Sequence, residues 1–148
     1  MHSELSGSLP AGAKYAPNLT TVVMMDTRLD FTAEDLHWGP HLKNALLINS
    51  GLRGSFSNGI FDNATALETL KLTTETPLMK TLPLAMGDTL HPGISGTIPD
   101  ALFAHAAQLQ IIEITHNRAL SGTIPVSIES LPSLVILLLH DQVWYSSQ

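Results

Sequence analysis

The sequence contains no cysteine, and this absence excludes several kinds of site at once. A chain without cysteine has no disulfide framework, no thiolate zinc site and no thiol nucleophile. It can occupy an oxidising or a reducing compartment, because it depends on no disulfide. We therefore expect no cysteine chemistry, and the localisation stays open.

Basic residues are few: seven Lys and Arg stand against 13 Asp and Glu, which gives a net charge of −6. Proteins that bind nucleic acids carry clustered Lys and Arg side chains that neutralise phosphates, and the sequence has no such cluster. The same shortage disfavours binding to an anionic membrane surface. We expect no nucleic-acid partner.

Long apolar runs and aromatic residues are also scarce. The longest apolar run, residues 134–139, is far shorter than the ~20 residues of a membrane-spanning helix. Residues 1–5 show no basic start and lead into no apolar stretch, so no signal peptide is visible. We expect no membrane insertion by this chain. Because aromatic residues make up only 5% of the sequence, we expect a core of Leu, Ile, Val, Ala and Met.

The most informative feature that is present is a repeated pentapeptide. Residues 95–99 read Ser-Gly-Thr-Ile-Pro, and the same five residues return at 121–125, an interval of 26 residues. A period of this length is typical of a solenoid, in which one short unit cannot bury its apolar side alone and stacks on copies of itself. A second pattern, Leu-x-x-Leu-x-Leu-x-x-Asn, matches residues 109–117 at every fixed position and residues 134–142 except at Gln142.

Weaker copies of the second pattern extend toward the amino terminus, at residues 67–75, 42–50 and 19–27. Their apolar positions define two columns that we expect to stack inside the coil. One column is Leu19, Leu42, Leu67, Leu109 and Leu134, and the other is Met24, Leu47, Leu72, Ile114 and Leu139. Because residues between the fixed leucines point the other way, the pattern also predicts which side chains face outward.

Residues 120–134 read Leu-Ser-Gly-Thr-Ile-Pro-Val-Ser-Ile-Glu-Ser-Leu-Pro-Ser-Leu, which resembles the plant-type leucine-rich repeat. The resemblance implies an α/β fold: a right-handed solenoid with a parallel β-sheet on the concave face and short helical or 3-10 segments on the convex face. We expect one domain over residues 1–148, with about six turns and one truncated turn near residues 78–94. The family's Asn ladder is mostly replaced here, by Thr27, Ser50, Glu75 and Gln142 around Asn117, which predicts a looser coil.

The concave face is the expected binding surface, because a solenoid offers an extended curved surface and no catalytic cleft. The candidate ligand-binding residues are Val23, Met25, Leu46, Ile48, Lys71, Thr73, Glu113, His116, Leu138, His140 and Asp141. The first four form an apolar patch that either contacts a partner or is covered by a neighbouring segment or repeat. The partner would be a protein, a peptide or a glycan.

Catalytic and metal-binding motifs are not apparent. His116, His140 and Asp141 could share one face, but they are more simply solvent-exposed residues at variable positions. The serine motif Gly-x-Ser-x-Gly and the phosphate-binding Gly-rich loop are both missing. We therefore expect no enzyme activity, no cofactor and no metal. Asn18 and Asn63 each lie in an N-glycosylation sequon.

Two functions remain open at this point. The first is a non-catalytic binding module. The second is a structural fragment of a longer receptor-like or cell-surface protein, because no capping cysteine pair flanks the repeats. Uncapped ends would also permit self-association. The resemblance suggests an extracellular or cell-surface location, whereas the residues of this sequence indicate no particular location.

Overall fold

The computed structural model describes residues 5–10, 16–36, 38–74, 93–117 and 119–140, together with the backbone of residues 143–144. The strands in chain order are β1 (Ser6–Ser8), β2 (Thr21–Met25), β3 (Arg28–Thr32), β4 (Asn44–Ile48), β5 (Leu52–Ser55), β6 (Thr69–Thr73), β7 (Ile94–Thr97), β8 (Ile111–Thr115), β9 (Leu120–Gly122), β10 (Ile136–His140) and β11 (Val143–Trp144). Within these described ranges, two 3-10 helices span Ala33–Asp35 and Val126–Ser130.

The strands alternate between two parallel sheets. The five-stranded sheet has the order β10-β8-β6-β4-β2, and the six-stranded sheet has the order β1-β3-β5-β7-β9-β11. Each strand of a sheet is therefore followed along the chain by a strand of the other sheet, and the chain coils. The parallel-strand solenoid expected from the repeats is confirmed.

The register of the five-stranded sheet explains why the leucine columns repeat. β2 pairs with β4 so that Met24 lies opposite Leu47, and β4 pairs with β6 so that Leu47 lies opposite Leu72. Since alternate residues of a strand face opposite sides, one whole column turns inward. The inner leucines are at most 2% exposed in the central coils, at Leu42, Leu67, Leu109, Leu47, Leu72 and Ile114. In the outermost coils the column members, Leu19, Met24, Leu134 and Leu139, are half-buried against the same core.

The core also contains aromatic residues, so the expectation of a purely aliphatic and methionine core is wrong. All four phenylalanines of the sequence are buried. Phe61 lies six residues before Leu67, and Phe103 lies six residues before Leu109; their rings stack with centroids 6.0 Å apart and planes inclined by 11°. Trp38 meets Phe61 edge-on at 4.6 Å. A few large rings thus fill the coil interior at a position that repeats with the leucines.

The indole of Trp38 is buried without leaving its polar group unsatisfied. Its Nε1 donates a hydrogen bond to the carbonyl of Ala33 at 2.7 Å. This carbonyl belongs to the first 3-10 helix, whose start is held by the Thr32 backbone N–H donating to Asp35 Oδ2 at 2.8 Å. In the part of the chain described, no helix is long and apolar enough to cross a lipid bilayer.

Asn117 connects three segments of neighbouring coils. Its Oδ1 accepts from the Ile94 backbone N–H at 3.1 Å, and its Nδ2 donates to the carbonyls of Leu72 at 3.1 Å and Thr115 at 2.9 Å. The side chain is fully buried. Thr27 and Ser50 occupy the position of Asn117 in earlier repeats, and Thr27 Oγ1 donates to the Ser50 carbonyl at 2.8 Å. Glu75 and Gln142, at the same position in two other repeats, lie outside the described residues.

Strands that pair directly in a sheet can be separated by a long stretch of sequence. β6 pairs directly with β8, with Thr73 opposite Thr115, and β5 pairs directly with β7. Thr74 and Gly93 lie against each other, since a Cβ on Gly93 would come within 2.5 Å of Thr74 Cγ2. The turn expected near residues 78–94 lies almost entirely outside the described residues, so the domain of about six turns over residues 1–148 remains a prediction.

Candidate ligand-binding face

The candidate site is the outward side of the five-stranded sheet, which we call the sheet face. It consists of Thr21, Val23 and Met25 of β2; Asn44, Leu46 and Ile48 of β4; Thr69, Lys71 and Thr73 of β6; Ile111, Glu113 and Thr115 of β8; and Ile136, Leu138 and His140 of β10. The register aligns these residues in three rows across the sheet. Neighbouring members of a row lie about 4.7–4.9 Å apart in the hydrogen-bonding direction.

One end of the sheet face is apolar. Val23 and Met25 are 56% and 51% exposed, and the register places them beside Leu46 and Ile48, which are half-buried. We call these four residues the β2–β4 patch. Large apolar side chains that protrude from fixed strands are typical of surfaces that bind partners.

The middle of the sheet face is polar. Lys71 Nζ lies 2.9 Å from Glu113 Oε2, with the two side chains 33% and 25% exposed. The hydroxyl groups of Thr73 and Thr115 lie 2.9 Å apart. A partly exposed pair of this kind contributes on the order of 0–1 kcal/mol to stability, so its main effect here is to present a neutral, hydrogen-bonded strip.

The far end of the sheet face combines apolar and imidazole side chains. Leu138 is 46% exposed, and His140 is exposed beside it. The His140 ring meets the His116 ring edge-on, with centroids 4.8 Å apart. Asp141 lies outside the described residues. Among the residues that are described, no three His, Asp or Glu side chains are grouped closely enough to hold a metal ion.

Comparisons with solved structures identify proteins of similar fold. A scan against protein-family models and a search of curated proteins both return no match. Among solved structures, the chain is similar to the crystal structure of a TDR receptor, with a TM-score of 0.66 and 20% identity over 95% of this chain. It is also similar to the BIR3–SERK2 complex from Arabidopsis thaliana, with a TM-score of 0.52 and 20% identity over 97% of this chain.

These likenesses, the repeat pattern and the two parallel sheets decide the architecture. The chain has the leucine-rich-repeat solenoid fold. It spans only 21% and 56% of the two similar chains. The likeness therefore concerns the coil, not the activity of either whole protein.

The leucine-rich-repeat pattern indicated the outward side chains but not the backbone that follows each strand. Asp26, Asn49 and His116 have positive φ angles of 51°, 48° and 59°. Asn and Asp adopt this left-handed conformation more readily than most residues. Asn49 Nδ2 also donates to Asp26 Oδ1 at 3.0 Å. The signal was available, since Asp26 and Asn49 occupy equivalent positions after β2 and β4.

The Lys71–Glu113 pair was also foreseeable from the leucine-rich-repeat register. Both residues were predicted to face outward, and the strands that carry them are consecutive in the sheet. Opposite charges directly across a strand pair attract each other. The pairing was missed because 42 residues separate the two positions in sequence.

A charged pair also lies outside the sheet face. On the six-stranded sheet, Arg53 Nε donates to Asp30 Oδ1. This hydrogen bond and the negative charge of Asp30 raise the pKa of Arg53 above its ordinary value. The pair lies on strands β3 and β5, and so it does not add charge to the sheet face.

The two sequons occupy exposed positions on the leucine-rich-repeat coil. Asn18 lies in the turn that leads into β2, and Asn63 lies in the turn that precedes β6. The sequon threonines, Thr20 and Thr65, are exposed as well. Neither asparagine belongs to the sheet face.

Proposed function

We propose that this chain is a non-catalytic binding module that presents the sheet face to a protein or peptide ligand. The observation that carries the proposal is the β2–β4 patch, where Val23 and Met25 of strand β2 are more than half exposed. Fully burying one such side chain contributes about 1.5–3 kcal/mol. The strands hold these side chains in place before binding, so little conformational entropy is lost on association.

Further residues of the sheet face would tune specificity. Lys71, Thr73 and Glu113 form the polar middle, and Leu138 and His140 form the second end together with His116, which lies directly after β8 beside the sheet face. Because Lys71 and Glu113 already neutralise each other, a ligand would contact this strip through neutral hydrogen-bonding groups. Asp141, which lies outside the described residues, completes the proposed set.

The comparisons support a protein ligand at the level of the fold. One similar structure is a complex of two proteins. We infer in addition that the coil is right-handed, with the five-stranded sheet on its concave face and the two 3-10 helices on its convex face. A glycan ligand is an outcome that the test below can detect.

The test is a selection of peptides displayed on phage against the purified chain, with a glycan array probed in parallel. Selected peptides should bind the native chain and lose at least about tenfold in affinity, or ~1.4 kcal/mol, when Val23→Asp or Met25→Asp is introduced. The matched control is Ala107→Asp, which adds the same charge at an exposed position away from the five-stranded sheet. It should leave the affinity unchanged.

Two results would contradict the proposal. One is a set of peptides whose affinity is insensitive to both substitutions on the sheet face. The other is equal loss with the control variant, since this would indicate a charge effect of the whole chain. Circular dichroism of each variant confirms that the strands are retained.

A second candidate function is a structural fragment of a longer receptor-like or cell-surface protein without independent activity. The observation that favours it is length, because the chain spans 21% and 56% of the two similar chains. A fragment without independent activity would bind no ligand from the phage-displayed peptides or from the glycan array. Its urea unfolding would still show a folded coil. Ligands that depend on Val23 and Met25 would argue against it.

A further inference from the structure

Among the described residues, each of the two sheets ends in a strand with one unpaired edge. In the five-stranded sheet the described partners of β2 and β10 are β4 and β8, and in the six-stranded sheet the terminal strands are β1 and β11. Each open edge presents unpaired backbone N–H and C=O groups, which template pairing with another strand.

The backbone hydrogen bonds show which groups remain available on β2. Asn44 N donates to Thr20 O, and Asp26 N donates to Ile48 O. Residues of a parallel strand direct their backbone groups alternately to the two sides. Even-numbered residues therefore face β4, and the N–H and C=O groups of Thr21, Val23 and Met25 point to the open edge.

The outer edge of β10 carries a matching set of backbone groups. Ile136 N donates to Gln110 O, and His140 O accepts from His116 N. Even-numbered residues face β8, and so the backbone groups of Leu137 and Leu139 point to the open edge. In the part of the chain described, none of these groups makes a hydrogen bond within a strand pair or turn.

The side chains match as well. Ala45, Leu70, Ile112 and Leu137 occupy one inward row, and the first three are fully buried while Leu137 is 37% exposed. Leu137 lies on β10, the terminal strand of this sheet in the part of the chain described. The row begins at Val22, so a second β2 placed beside β10 would continue the row with one more apolar side chain.

In the five-stranded sheet, the strands β2 and β10 themselves lack the usual features that prevent such pairing. Proteins protect edge strands with lysine, proline, bulges or very short strands. β2 reads Thr-Val-Val-Met-Met and β10 reads Ile-Leu-Leu-Leu-His, each five residues long, with no proline and no lysine. Val135, directly before β10, is 79% exposed.

We propose that copies of this chain stack head to tail, with β10 of one copy pairing in parallel with β2 of the next. The same arrangement brings β11 beside β1, so that both sheets continue across the junction. Because the two surfaces are different, the interface is heterologous, and assembly is open-ended rather than limited to a dimer. This proposal does not depend on the sheet face binding a ligand.

The experiment is sedimentation of the full chain over a wide concentration range, with two proline variants. Leu137→Pro removes a donor from the β10 edge, and Val23→Pro removes one from the β2 edge; neither position donates to the internal ladder. Edge strands tolerate proline at such positions. Leu137→Val is the control, because it keeps the donor and an apolar side chain.

The native chain and the Leu137→Val control should show a weight-average mass that rises with concentration. Each proline variant alone should stay monomeric, whereas an equal mixture should form dimers only, through the one intact edge of each. Circular dichroism and the urea midpoint establish that the variants fold, and the mixture shows that their remaining edges work.

Three results would overturn the proposal. A native chain that stays monomeric at every concentration excludes the assembly. A Val23→Pro variant that dimerises alone indicates pairing between two β10 edges. A mixture that stays monomeric while the native chain assembles indicates a surface other than these edges.

Discussion

Replacing Asn117 is the sharpest test of how the coils are held together. Asn117→Ala removes one hydrogen bond to the Ile94 N–H and two to the carbonyls of Leu72 and Thr115, all at a fully buried position. A typical hydrogen bond contributes about 0.5–1.5 kcal/mol, and a stranded buried polar group costs about 1–3 kcal/mol. We expect the free energy of unfolding to fall by about 3–5 kcal/mol, a large share of the stability of a typical domain.

Asn117→Asp separates the two kinds of bond. The aspartate keeps an acceptor for Ile94 N–H, but it presents a second oxygen to two carbonyls and buries a negative charge. We therefore expect a loss at least as large as that of Asn117→Ala. Asn58→Ala, at an exposed turn position, is the matched control and should change stability by no more than about 0.5 kcal/mol.

The assay is urea unfolding followed by circular dichroism, with amide hydrogen exchange as a local readout. Exchange of the Ile94 amide should accelerate in Asn117→Ala, since this amide loses its acceptor. A change below about 1 kcal/mol with unchanged Ile94 exchange would refute the reasoning. It would show that backbone or water partners replace the side chain without loss.

Three further predictions concern packing, backbone conformation and modification. Phe61→Ala should lower stability by about 3–5 kcal/mol, because its ring packs against three buried aromatic side chains; Phe61→Leu should lose clearly less, and equal losses would contradict ring packing as the cause. Gly51→Ala should destabilise more than Gly54→Ala in urea titrations: both have positive φ, but a Cβ on Gly51 would lie 1.7 Å from a backbone oxygen, whereas one on Gly54 meets only an ordinary contact at 3.5 Å. When the chain is secreted from a eukaryotic host, Asn18 and Asn63 should carry glycans that a glycosidase removes and that Asn→Gln abolishes; an unchanged mass after glycosidase treatment would dismiss both sites.

The strand positions could be predicted from the sequence because one physical constraint sets them. Leu42, Leu67 and Leu109 recur at spacings that only a stacked coil can bury together, and each stands at or near 0–1% exposure. The alternation of burial along β4, β6 and β8 then follows from strand geometry. The outward placement of Val23, Lys71 and Glu113 rests on the same alternation.

The features that were missed depend on contacts across coils rather than on local pattern. Phe61 and Phe103 are too few to signal an aromatic cluster by composition, yet each repeats at a fixed offset from an inner leucine. The hydrophobic periodicity does not report the positive φ of Asn49, and only the equivalent position of Asp26 after β2 offered a signal for it. The aromatic cluster and the left-handed turns become visible only when equivalent residues of successive coils are compared, and residue counts do not reveal them.

The direct pairing of β6 with β8 has a consequence for how the chain tolerates changes in length. Because Thr74 and Gly93 lie side by side, the chain that joins them begins and ends at one point of the coil. The entropy cost of joining two fixed points by a chain grows only with the logarithm of the chain's length, so that doubling the length costs about 0.6 kcal/mol. We therefore expect insertions between Thr74 and Gly93 to leave the register of β6 and β8 unchanged. This junction is the natural place to graft an affinity tag, or a second folded unit, onto the solenoid.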